Sequence, residues 1–312
     1  MDLFDDVKLV LEQDLAALAI QYGQSATLEE ILILRCTHMR KTILPMPRTA
    51  HESREFQGAL AACTTGEQQA MAAIRAKFHR GEDVNGHLSR ASLNPHIPDG
   101  MLYDWDIYHI HVSCTKSNPS QAFFDRTGPV ALVKVTRTDS YFIDIRPHGT
   151  ANPLLWTQTD ILEILNNNWP TLLDSWTIPN AVSTVHNPSS SDLSRLRGNR
   201  RTGKGAVVAV LQIGNRVIAP PGGGMATDGT PNTVLEAVDQ IQYNIKDIEQ
   251  YLVKNGGNIK AEVAPQINVP VANQDFKLVR NNGCWMVVER TSGQAVGIRQ
   301  LNSLLGRLPA AP

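Results

Sequence analysis

Arg137-Thr-Asp139 is all that separates two strand-like runs, Val130–Thr136 and Ser140–Arg146. A polar connection that short leaves only a hairpin between them. A third run rich in β-branched and aromatic residues, Tyr103–Cys114, precedes the pair, so a three-stranded antiparallel sheet is expected at the centre of the chain. Within that run, Asp106-Ile-Tyr-His-Ile-His-Val-Ser113 sets His109 and His111 two residues apart. At that spacing strand side chains point to the same face, so both imidazoles should meet one site. The last run, Tyr141-Phe-Ile-Asp-Ile-Arg-Pro-His148, ends in a third histidine that the hairpin should return toward the first two, on an adjacent strand.

The flanking segments read mostly as helices. Apolar residues at Val7, Val10, Leu11, Leu15, Leu18 and Ile20 predict a helix from Leu3 to Tyr22, stopped by Gly23. Thr27 and Glu30 form a capping box for a second helix reaching about Thr42. The proline-spaced Leu44–His51 should be extended. Glu55–Arg80 is helical with a break near Thr64-Thr-Gly66, and Thr159-Asp160 should cap a helix over Ile161–Asn168. Asn187–Gly205 lacks apolar periodicity and reads as a linker. Beyond it, Gly214-Asn215 and Asn281-Asn-Gly283 mark two hairpins. Between the hairpins, Thr233–Val253 carries a seam of Val234, Val238, Ile241, Ile245, Ile248 and Leu252. That narrow seam should be buried, within the chain or in a homodimer through this helix.

The expected class is therefore α+β: a helical amino-terminal region (1–43), a central α+β unit with an antiparallel sheet (44–186), a basic linker (187–205) and a carboxy-terminal α+β portion (206–312). Twenty-nine basic residues against thirty acidic ones give a net charge of −1, so attraction to a polyanion must come from a local patch. The best such patch is Arg195, Arg197, Arg200, Arg201 and Lys204. Four scattered cysteines fit neither a zinc finger nor a disulfide scaffold, and a reducing cytoplasm is the expected compartment. The acidic start is unlike a secretory signal, and no apolar run approaches the roughly 18 residues a membrane span needs.

Over residues 44–150 the order of extended segment, helical pair and three antiparallel strands ending in basic and imidazole side chains resembles the RelE and YoeB type toxins, ribosome-associated mRNA interferases within the barnase-like fold. The resemblance implies an acid/base at His109 or His111, a cationic group at Arg126 or Lys134, and His148 on the last strand, with RNA as substrate and an antitoxin or other protein as partner. This chain departs from the pattern in the long insertion Thr115–Phe124 and in having no basic excess. The whole chain also resembles uncharacterised bacterial and mobile-element proteins, which implies no activity.

The chemistry needs few groups. RNA supplies its own nucleophile in the 2′-hydroxyl. A base for that proton, an acid for the leaving 5′-oxygen and a cation for the developing charge complete a metal-independent endoribonuclease with no cofactor. His109 or His111 fits the base, His148 the acid, and Arg126 a bidentate phosphate clamp. Tyr141 and Trp105 are candidates for stacking on a base. A second reading makes His109, His111, Asp144 and His148 ligands of zinc or iron in a hydrolase. A third leaves them structural, in a partner-binding module of a mobile element or defence system.

Two motifs are set aside. Gly198–Gly205 has Gly205 where a phosphate-binding loop needs Ser or Thr, and it precedes a strand. Pro220-Pro-Gly-Gly-Gly224 reads as a flexible turn more than as an anion cradle.

Overall fold

A computed structural model describes residues 2–90, 94–126, 128–184, 186–198, 210–263, 275–281, 284–290, 293 and 295–296. The chain is α+β. It divides into two compact units, His38–Thr233 and Met1–Thr37 with Val234–Pro312.

The larger unit is built on a sheet of β1 (Thr49–Glu52), β2 (Ile107–His111), β3 (Val130–Val135) and β4 (Asp139–Arg146), in the order β1-β4-β3-β2. The β3–β4 hairpin and the antiparallel β2–β3 pair follow the sequence expectation. β1 joins β4 in parallel, a pairing that local sequence could not specify. Central β3 is apolar almost throughout because both faces are covered. On one face Ala131, Val133, Ile110 and Phe142 pack with Phe56, Met71, Ile74 and Phe78 of α3 (Arg54–Ala61) and α4 (Thr65–Arg80). On the other, Ile107, Val130, Leu132 and Ile143 pack with Ile161 and Leu165 of α6 (Asp160–Asn168) and Leu193 of α7 (Ser190–Gly198). His109 and His111 share the face of Ile107 by strand period, at the end of the strand where the apolar layer runs out.

Local chemistry sets the helix ends. The Thr64–Glu67 capping box starts α4, and Gly81 ends it at φ +72°, a left-handed cap glycine adopts at little cost. Thr159 stands at the N-cap of α6, yet its side chain makes no capping bond, which corrects the expected role. The run Tyr103–Cys114 is strand only over Ile107–His111. Its start belongs to α5 (Gly100–Trp105), which Asp99 caps and which ends where Asp106 turns left-handed at φ +59°. Trp105 is therefore core, 2% exposed, and has no face to offer a base. The expected linker contains α7, capped by Ser189 and Asp192. Of the near phosphate-binding loop, residues 199–205 lie outside the described residues. Gly222 and Gly224 donate backbone bonds to the carbonyls of Asp104 and Tyr103, and a Cβ at Gly222 would strike the Tyr103 and Leu102 carbonyls. Pro220–Gly224 is thus a close backbone docking onto α5, made possible by glycine. The hairpin β5 (Leu211–Ile213) and β6 (Arg216–Ile218) turns at Gly214 as expected.

The smaller unit holds α1 (Leu3–Ala17), most of α2 (Leu28–Lys41), most of α8 (Asn232–Val263) and a sheet of β7 (Phe276–Asn281), β8 (Cys284–Glu289) and β9 (Ala295–Val296). The Thr27–Glu30 box is present at α2. α1 stops short of Tyr22 because Ala19 adopts φ +54°. Asp14 of α1 is buried between Arg35 of α2, at 3.3 Å, and Arg280 of β7, at 2.8 Å. α8 runs beyond the expected Val253, and its seam is buried from Val234 to Ile248 in the single chain. No described helix is long and apolar enough to cross a membrane.

Candidate functional site

Strand β2 aims two imidazoles at one place, and the turn after β4 brings the third. The ring centroids of His109 and His111 are 6.4 Å apart, and those of His111 and His148 are 5.1 Å apart at 69°. The strands concerned are not adjacent, which corrects the expected arrangement. His111 faces Val130 of β3, and Val130 faces Arg146 of β4, so the rings meet across the end of the intervening strand.

Burial and like charge keep two of these rings neutral. His111, 4% exposed, is pushed down to about 3, first by burial and then by repulsion from the other imidazoles and the Arg126 guanidinium around it. Burial also lowers His109, partly offset by Asp99, whose Oδ2 lies 3.7 Å from His109 Nδ1. The Nδ1 atoms of His109 and His111 are buried with no hydrogen-bond partner among the described residues. Next to His111, His87 is held down at about 4 by burial and by Lys77, whose Nζ donates to its Nε2 at 3.3 Å. The His87 ring stacks on Phe124 at 4.0 Å, and Lys77 and Lys116 both lie over the Phe124 ring. The insertion Thr115–Phe124 therefore brings one cation, Lys116, and an aromatic ring against His87, beside Lys77 of α4.

Arg126 is exposed just before β3, where Nη2 donates to Ser89 Oγ at 3.1 Å. Its charge reaches both His109 and His111. Lys134, the alternative cation, is committed elsewhere. Its Nζ is 2.6 Å from Asp106 Oδ2, and Arg40 holds the other oxygen at 2.7 Å, so Lys134 is a structural partner.

A cavity of about 330 Å³ opens beside His109, lined among others by Lys41, Ser89, Asp99, Trp156 and Ser194. Trp156 packs against the His109 ring with centroids 4.7 Å apart. Lys41 is 2% exposed and donates to the carbonyls of Asn94 and Ile97, which fastens the cavity wall. Burial brings its ammonium down to about 8, against the pull of Asp99. Sequence reasoning missed Lys41, Ser89, Asp99 and Trp156, which come from four separate segments. Only Asp99 left a local trace, as the cap of α5.

The remaining sequence candidates divide. Asp144 accepts from Arg146 Nε at 2.7 Å, and Arg146 reaches on to Asp160 and Gln158. Among the described residues no three His, Cys, Asp or Glu side chains are arranged to hold a metal ion, so ligand geometry does not support the set His109, His111, Asp144 and His148. Tyr141 is packed between His51 and Trp169. Arg195 projects from α7, paired with Asp192 at 3.1 Å, one residue beyond the cavity-lining Ser194. Arg197 lies on α7 as well, whereas Arg200, Arg201 and Lys204 fall outside the described residues.

No protein-family model, curated protein or solved structure matches this chain. The functional reading therefore rests on the site itself.

Proposed function

We propose that the larger unit is a metal-independent endoribonuclease of toxin type. The observation that carries this reading is the meeting of His111 and His148, 5.1 Å apart, beside an exposed arginine. Neutral His109 or His111 takes the proton from a ribose 2′-hydroxyl. O2′ then bonds to phosphorus, the bond from phosphorus to O5′ breaks, and His148 gives its proton to O5′. A 2′,3′-cyclic phosphate and a 5′-hydroxyl result. Arg126 balances the charge gathering on the phosphorane oxygens, a task suited to a planar guanidinium.

The surroundings fit an anionic chain. Lys77 and Lys116 lie over the Phe124 ring that stacks on His87, Arg126 reaches the cavity-lining Ser89, and Arg195 follows the cavity-lining Ser194 on α7. A phosphate seated among these groups would raise the imidazole pKa values toward the range in which a base works efficiently. RNA is thus the proposed partner, with an antitoxin or other regulator as its natural check. The proposed compartment is the cytoplasm. The test is cleavage of a single-stranded RNA beside the same sequence with 2′-deoxyribose throughout. Cutting of the RNA alone is expected, and cutting of both would remove the 2′-hydroxyl from the mechanism.

A further inference from the structure

Asp99 and His109 face each other in the cavity wall with one bond between them unmade. Oδ1 of Asp99 accepts from the Leu102 amide at 3.1 Å as the cap of α5, which fixes the carboxylate. Oδ2 is left turned toward His109, 3.7 Å from Nδ1. That nitrogen is buried without a hydrogen-bond partner among the described residues, and Trp156 packs against the same ring and limits its rotation. The gap is about 0.5–1 Å longer than a charged N–H···O bond, so a small shift closes it once Nδ1 carries a proton beside the carboxylate.

The charges around the ring decide when that happens. Burial opposes the imidazolium most, Asp99 favours it, and His148, Arg126 and Lys41 oppose it, with His111 beside the ring as well. Asp99 set against Lys41 and Arg126 leaves one positive charge in excess, which a phosphodiester neutralises. With the diester in place the repulsion from those cations is cancelled, and Asp99 is left to draw a proton onto His109. Arg126 marks the place for it, because its Nη2 donates to Ser89 Oγ at 3.1 Å and Ser89 lines the same cavity as His109.

We propose that Asp99 and His109 form a phosphodiester-binding pair, in which a bound phosphate makes His109 take up a proton from water. Nδ1–H then donates to Asp99 Oδ2 and Nε2–H to a phosphate oxygen, beside the Arg126 guanidinium. Asp99 acts through His109 and is a positioning residue. The pair rests on the RNA-cleaving reading, since the diester it holds is the one to be cut, and it leaves His111 as the base for the 2′-hydroxyl.

The test is nitrogen-15 NMR of the full chain, labelled in its histidine rings, with a thymidine tetranucleotide. This probe has phosphodiesters, no 2′-hydroxyl to cut and no group that titrates near pH 7. At that pH the His109 ring, assigned by its loss in His109→Gln, is expected to be neutral in the free protein and charged in the complex. The complex then holds more protons than the free protein, so affinity should rise as pH falls, by up to about tenfold per unit for this one proton. In Asp99→Asn, Oδ1 keeps the cap and Nδ2 donates to Nδ1, so His109 should stay neutral and its share of the rise should vanish. A wild-type His109 that stays neutral in the complex would overturn the proposal whether or not the variant folds. So would a tetranucleotide that does not bind, or an Asp99→Asn protein with the wild-type pH dependence. RNA cut by a protein whose His109 stays neutral would sink the pair and leave the nuclease standing. A charged His109 in the complex with RNA left uncut would do the reverse.

Discussion

His111 and His148 lie with ring centroids 5.1 Å apart, although one is on an edge strand and the other follows the strand two places away. The antiparallel β2–β3–β4 arrangement makes β2 and β4 run the same way and brings both to the same end of the sheet. The pairing gives the two rings separate proton-transfer tasks. His111→Gln and His148→Gln should each lower RNA cleavage by about 10²- to 10⁴-fold, the usual worth of one acid or base. Circular dichroism and melting temperature should stay close to wild type. Cleavage within a few-fold of wild type in both variants would dismiss the assignment.

Stability should respond to the same rings. His111 is held at about 3 and His87 at about 4, both below the roughly 6.5 of an unfolded histidine. Between these values the unfolded chain binds more protons than the folded one. Stability is therefore full above about pH 6.5 and is lost as pH falls toward about 4. From pH 7 to pH 5 the expected loss is about 1–2 kcal/mol per ring. Urea midpoints at the two pH values measure it. His111→Gln should flatten the slope, and an unchanged slope in that variant would show that the ring is solvated.

Asp106 joins two cations, Arg40 and Lys134, at the left-handed end of α5. Asp106→Ala removes the carboxylate that both cations share and should cost about 2–3 kcal/mol, the worth of charged hydrogen bonds that water only partly reaches. Lys134→Met should cost less, since Arg40 still pairs with Asp106, and should leave RNA cleavage per folded molecule unchanged. Arg126→Lys, which loses the guanidinium fork, should reduce cleavage. Equal loss of cleavage in the Lys134 and Arg126 variants would return Lys134 to the site.

The α8 seam offers a separate check. Ile245 is fully buried and lies mid-seam between Ile241 and Ile248. Ile245→Asp buries an unpaired carboxylate and should destabilise by several kcal/mol or force the carboxyl to stay neutral. A wild-type melting temperature in this variant would mean that the seam is open to water.

What was legible in the sequence was what depends on near neighbours. The i, i+2 spacing of His109 and His111, the Thr27–Glu30 box, the break near Thr64-Thr-Gly66 and the Gly214 turn are properties of a few residues each. Strand period and capping chemistry read them directly. α7 was hidden because, among its described side chains, only Leu193 is buried and apolar, too little for a periodic pattern, although Ser189-Ser-Ser-Asp192 carried a capping signal. Tyr103 and Trp105 have strand-like chemistry, but Asp99 caps a helical turn through them and tertiary burial overrides their β preference. The parallel β1–β4 pair and the convergence of Lys41, Ser89, Asp99 and Trp156 on one cavity depend on contacts across many tens of residues. No local pattern encodes such contacts.

The most direct test of the central claim is the chemistry of the cut ends. Purified protein is incubated with single-stranded RNA in excess EDTA, and the products are read by mass spectrometry. Fragments ending in 2′,3′-cyclic phosphate and beginning with 5′-hydroxyl are expected, and they should vanish in His148→Gln. RNA left intact, or cut only when a divalent ion is restored to give 5′-phosphate ends, would contradict the account.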